Sequence, residues 1–156
     1  MSTQPPNAGD TIHVGKQWLR LQLDKGANCP LCGQLAKMYR RKINAGMAHA
    51  LIEMYRHGRA DWFYLPDITK RWQGRDEAGL RYWGLIEEAS TPRPDGGRAG
   101  WWRVTDKGIA FVRWNLKVPK YVLVYDGRVF GFDGPDVDIK DALGTKFDYH
   151  DLMNGV

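Results

Sequence analysis

Ten consecutive turn-forming residues, Thr91-Pro-Arg-Pro-Asp-Gly-Gly-Arg-Ala-Gly100, stand between two apolar stretches of this chain. Neither a helix nor a central strand continues through such a run, because its prolines lack amide donors and its glycines favour turns. With Ile86 before it and Trp101-Trp-Arg-Val104 after it, the run reads as the tip of a β-hairpin. The residues leading to it are ordered in a specific way. Trp62-Phe-Tyr-Leu65 is a short strand-like run, after which Pro66 and Asp67 suit the first turn of a helix reaching about Trp72. Gln73-Gly74 turns the chain, and a further helix is expected from about Arg75 through Leu80, Trp83 and Ile86 to Glu88. Two helices joined by a short Gly-containing turn make a helix-turn-helix. After the hairpin, Thr105 is placed to cap a helix over Asp106-Lys-Gly-Ile-Ala-Phe-Val-Arg113.

Leu80-Arg-Tyr-Trp-Gly-Leu-Ile-Glu87, the basic Gly-rich hairpin tip and Trp102-Arg-Val-Thr-Asp-Lys-Gly-Ile-Ala-Phe111 resemble the recognition helix, wing and wing exit of winged-helix regulators of the MarR and PadR groups. The resemblance spans 38–114. It implies an α+β fold with a winged helix-turn-helix core, and double-stranded DNA binding with a role in transcription regulation. The long terminal dimerisation helices of those regulators are missing, although a homodimer remains a candidate. The chain also has a general likeness to small phage and prophage proteins, among which a winged helix that docks on a host protein is the alternative role. That alternative has its own residues, Tyr82, Trp101, Trp102 and Trp114, whose rings suit a protein-binding surface as well as a core.

The charge distribution supports an anionic partner. Residues 1–120 hold 20 Lys and Arg against 11 Asp and Glu, whereas residues 121–156 hold 3 against 7. A basic excess of this kind attracts phosphate and makes binding salt-dependent. In the DNA reading, Gln73, Arg75, Arg81 and Tyr82 lie off the apolar stripe of the recognition helix, and Arg and Gln are the side chains that pair bidentately with guanine and adenine. Lys70, Arg71, Arg93 and Arg98 are placed for phosphates. Lys37, Arg40, Arg41 and Lys42 form another basic cluster, either a second phosphate-contacting patch or a solvated helix face. Asp76 and Glu77 oppose DNA at the start of the recognition helix, unless they serve to complement its dipole.

Cys29-Pro-Leu-Cys32-Gly33 is the sharpest chemical phrase in the chain. Two thiolates on a tight turn make one zinc knuckle, half of a tetrahedral site. With two cysteines in all, the other half would come from histidines, with His13 and His49 best placed and His57 and His150 the remainder, or from a second chain. An unmetallated knuckle and a redox disulfide are the other readings. No cofactor is required by the remaining residues, and no nucleophile, base or phosphate loop points to an enzyme.

The organisation follows from composition. At 156 residues, 43% hydrophobic and 26% charged, the chain suits one globular domain with decorated ends. No apolar run approaches the ~20 residues of a membrane span, and the first residues lack a signal peptide's character, so a bacterial cytoplasmic location is expected, at the nucleoid if DNA is bound. Residues 1–34 are read as an arm, a segment 11–23 and the Cys-x-x-Cys turn. In that segment Ile12 and Val14 alternate like a strand, while Trp18, Leu19 and Leu23 favour a short helix ending near Gly26. Residues 35–116 are read as the winged helix, beginning with an amphipathic helix over 35–56 that Gly58 stops. Residues 117–156 are read as a β-hairpin turning at Asp126-Gly127, a second turn at Asp133-Gly-Pro-Asp136, a short helix near 137–143 and an acidic tail that packs back through Phe147, Tyr149, Leu152 and Met153.

Overall fold

The structure is a computed structural model that describes residues 4–90 and 100–155. It is a mixed α+β fold with antiparallel sheets, and its backbone contacts group into two compact units. One consists of residues 1–41 with 123–131, the other of 42–122 with 132–156. No helix among the described residues is long and apolar enough to cross a membrane.

The larger unit is built on one helix, Ala45–Gly58 (α2), where the sequence suggested a helix beginning at Leu35. Between 35 and 42 the chain forms instead two short strands, Leu35–Ala36 (β2) and Tyr39–Lys42 (β3). Asn44 explains the difference. Its side-chain oxygen accepts the Met47 amide at 2.8 Å, which starts the helix there, and Ile43 donates its amide to Lys120 O at 3.0 Å as part of extended structure. Tyr39 and Ile43 fit the three-to-four spacing, yet that spacing cannot separate a strand entering a helix from a helix alone. Met47, Ala48, Ala50, Leu51, Ile52 and Met54 are all buried, and the helix ends at Gly58 as expected.

Strand Phe63–Tyr64 (β4) follows, then helical turns, then strands Ile86–Glu88 (β5) and Trp101–Val104 (β6). The sheet order is β4-β6-β5, all antiparallel, with Phe63 opposite Trp102 and Ile86 opposite Val104. The two helices expected between β4 and β5 are tighter and shorter than α-helices. The first is a pair of 3₁₀ turns, Leu65–Asp67 and Thr69–Arg71, and the second a 3₁₀ segment, Glu77–Trp83. Segments of so few residues gain little from α-helical bonding, and burial of Ile68, Trp72, Leu80 and Trp83 fixes them instead. The second segment stops at Gly84, whose φ of 73° reverses the chain, so 86–88 form a strand and not the helix end expected there. The run 91–99 lies outside the described residues.

Helix Asp106–Val112 (α3) starts where expected. Thr105 Oγ1 accepts the Gly108 amide at 3.0 Å and donates to Gly84 O at 2.5 Å, tying the helix start to the turn before β5. Trp83 Nε1 donates to Pro119 O at 2.7 Å, so the indole is both buried and satisfied.

Strands Val118–Tyr125 (β7) and Arg128–Val137 (β8) form the expected hairpin, with β3, β7 and β8 ordered β3-β7-β8. Asp126 and Gly127 have φ of 52° and 69°, as a type I′ turn requires. The second turn expected at 133–136 is absent: β8 runs through it, and Gly134 is accommodated by a local φ of 79° over the Tyr121 ring. Helices Ile139–Leu143 (α4) and Tyr149–Asn154 (α5) complete the larger unit. Asp138 and Asp141 cap α4 reciprocally, and Tyr149 donates its hydroxyl to Val112 O at 2.6 Å.

The smaller unit contains helix Ile12–Leu21 (α1), capped by Thr11, and the strands Ala27–Asn28 (β1) and β2. Its hairpin pairs Ala27 with Ala36 and Asn28 with Leu35, and Met38 donates its amide to Leu23 O at 2.9 Å. Its core is thin. Among the described residues of this unit, Leu23, Ala36 and Val124 are the buried hydrophobics, and α1 has no buried residue.

Candidate nucleic-acid interface and cysteine turn

In the larger unit, one stretch from Lys70 to Tyr82 carries most of the residues expected to meet DNA. Lys70 and Arg71 are exposed on the second 3₁₀ turn, and Gln73 and Arg75 are exposed on either side of Gly74, whose φ is 94°. Arg81 is exposed on the Glu77–Trp83 segment, where its guanidinium carbon lies 5.1 Å from the centre of the half-buried Tyr82 ring. Leu80 and Trp83 point inward from the same segment, which fixes the direction in which Arg81 faces. Asp76 receives a hydrogen bond from Asn44 Nδ2 at 3.5 Å, and Glu77 is half-buried with Oε2 enclosed.

The remaining basic candidates are not part of that stretch. Arg40 and Arg41 are exposed on β3 in the smaller unit, and with Lys42 they lie in a strand rather than on the first turns of a helix. Lys37 is exposed between β2 and β3. Arg93 and Arg98 lie outside the described residues.

On the outward face of the β4-β6-β5 sheet, Trp101 was expected from the sequence as a docking ring, whereas its neighbours Trp62, Tyr64 and Arg103 were not. Trp101 and Arg103 alternate with the buried Trp102 and Val104 on β6, as strand periodicity demands. Tyr64 meets Trp101 with ring centres 5.5 Å apart, Arg103 stacks 4.7 Å above the Trp62 ring, and Arg103 also pairs with Glu87. Beside this face, a cleft of about 440 Å³ is lined by Ala60, Gly84, Glu87, Arg103, Thr105 and Lys107, among others. The alternation in Trp101-Trp-Arg-Val104 was the available signal. Of the rings offered for protein docking, Trp102 is buried, Trp101 is 41% exposed and Trp114 is 48% exposed, its Nε1 donating to Asp138 at 2.9 Å.

In the smaller unit, Cys29 and Cys32 sit at the tip of the β1–β2 hairpin with both thiols free. Cys29 donates its amide to Gln34 O at 2.7 Å, Gly33 donates to Cys29 O at 2.9 Å, and Gly33 has a φ of 74°. The thiol of Cys29 is held below the ordinary cysteine value by the Cys32 amide, then by the Leu31 amide and the Cys32 thiol, against a small desolvation effect. Both cysteines border a cleft of about 250 Å³ with Leu19, Gln34, Leu35, Ala36, Tyr125 and Asp126. Among the described residues no three His, Cys, Asp or Glu side chains gather as a metal site. His13 is exposed on α1, and His57 and His150 contact the rings of Phe63 and Tyr149. His49 lies 3.7 Å from Glu53 and 4.7 Å from the Phe147 ring centre. Burial lowers its pKa against the opposing pull of Glu53.

Comparison with known proteins finds no matching family model, no similar curated protein and no similar solved structure.

Proposed function

We propose that the larger unit is a winged helix-turn-helix that binds double-stranded DNA in a regulatory role, without a catalytic step. The observation that carries this reading is the order of elements around one sheet. A helix (α2) leads to β4, two helical segments follow, then β5, the turn-former run and β6, with β4 pairing on the far side of β6. In such a domain the second helical segment lies in the major groove and the hairpin tip reaches the backbone or minor groove. Glu77–Trp83 is the recognition segment in this reading, about 14 Å long at the 3₁₀ rise of about 2 Å per residue. Gln73, Arg75 and Arg81 meet base edges and Lys70 and Arg71 meet phosphates, while Arg93 and Arg98 belong to the run 91–99 outside the described residues.

The test is binding of the full chain to random duplex DNA, measured by fluorescence anisotropy across a salt series. Log affinity is expected to fall linearly with log salt, and Lys70→Ala with Arg71→Ala to flatten the slope by about 2, one per lost phosphate contact. Absence of binding at low salt overturns the reading.

The outward sheet face favours a second reading, docking on a protein such as a host factor. Trp62 and Trp101, 42% and 41% exposed, stand beside Arg103, a set of residue types common at the centre of protein interfaces. Trp101→Ala is expected to leave DNA affinity unchanged within twofold if this face serves a protein alone.

A further inference from the structure

A DNA-binding role for the larger unit makes no use of the cysteine turn, and three features of the smaller unit concern it. The first is coordination. Cys29 and Cys32 lie on one tight hairpin tip, the spacing at which a single zinc ion takes two thiolates, and a closed structural zinc site takes four ligands. The sequence has these two cysteines only, and among the described residues no third ligand joins them.

The second feature is the surface around the thiols. Leu31, between the cysteines, is 72% exposed, and Leu35, just after them, is 63% exposed. The segment Ala27-Asn-Cys-Pro-Leu-Cys-Gly-Gln-Leu-Ala36 contains no charged residue, and Asp126 is the one charged residue that borders the cysteine cleft among the described residues. Lys25 and Lys37 bracket the segment. The third is the thin core of this unit, with three buried hydrophobics among its described residues, where small folded units usually gain a metal or a partner.

We propose that two copies of this chain share one zinc ion, each giving Cys29 and Cys32. A two-fold axis through the ion supplies both missing ligands from one partner and brings the same leucines of each copy together, the self-complementary arrangement of a closed dimer. Four thiols lose four protons to solvent as Zn²⁺ binds, leaving a site of charge −2.

The experiment is a titration of the reduced, metal-free full chain with Co²⁺, followed by displacement with Zn²⁺. The visible spectrum of a tetrahedral four-thiolate cobalt site should saturate at one ion per two chains, and the mass by light scattering should double at the same point. Cys29→Ser should lose both responses while keeping the helical circular dichroism of the rest. Should that variant fail to fold, the wild-type titration decides by itself. Saturation at one ion per chain, a spectrum with nitrogen or oxygen ligands, an unchanged mass, no metal uptake, or a Cys29–Cys32 disulfide formed in preference to metal binding each overturns the proposal.

Discussion

Gly108 stands where no side chain fits. A Cβ built there would fall on the carbonyl oxygen of Leu85 and within 2.7 Å of Val104 Cγ1, and a backbone oxygen cannot swing aside as a side-chain end can. Gly108→Ala is therefore expected to destabilise the larger unit by more than about 2 kcal/mol, measured by urea denaturation. An unchanged midpoint would mean that α3 shifts freely away from β5. Thr105, three residues earlier, was legible as a cap from its own neighbours, because capping is a local interaction. The role of Gly108 was not, because it depends on Leu85, which reaches it only through the fold.

The short helices show the same division between local and distant causes. Asp138 begins α4, accepting the Asp141 amide at 2.8 Å and the Trp114 indole at 2.9 Å. Desolvation raises its pKa. The Asp141 amide, the Trp114 indole, the Asp141 side chain and Lys117 together outweigh that and hold the carboxyl below its usual value. Its folded pKa is thus lower than its unfolded one. The stabilisation is complete above the unfolded value of about 3.9 and is lost as pH falls through the folded value. Asp138→Ala should cost about 1 kcal/mol at pH 7, and the gap to wild type should narrow by pH 3 in parallel urea titrations. A gap of the same size at both pH values would remove the carboxylate from the account. Among the elements, the α3 helix was readable from its Thr105 cap and the β7–β8 hairpin from Asp-Gly, while α1 rested on the helical spacing of Trp18, Leu19 and Leu23 against a strand-like alternation of Ile12 and Val14. The start of α2 was not readable, since Tyr39 and Ile43 kept helical spacing while Tyr39-Arg-Arg-Lys42 took a place in a sheet. Asp133-Gly-Pro-Asp136 has the composition of a turn, and the sheet carries it through as strand.

For the molecule as a whole, stability should be unevenly distributed. Helix α2 buries Met47, Leu51, Ile52 and Met54 among others, whereas α1 has no buried residue. Hydrogen exchange should therefore give α1 an opening free energy near the bottom of the range and α2 one near the global value. Equal protection of both in the metal-free monomer would contradict this. The sequence held the basic stretch 70–82 and the cysteine turn in plain view, because both rest on residue type and close spacing. The partition into two units was hidden, since the hairpin tip 123–131 groups with residues more than eighty positions earlier.

That grouping means the chain passes between the units three times, at 41/42, 122/123 and 131/132. A protease cutting once, anywhere, releases neither unit whole. A fragment beginning at Lys42 would still carry 123–131, with Val129 and Phe130 already at the surface and Val124 stripped of the rest of its unit. Clean excision of the larger unit therefore requires two edits together: removal of 1–41 and a shorter turn joining Val122 to Phe132.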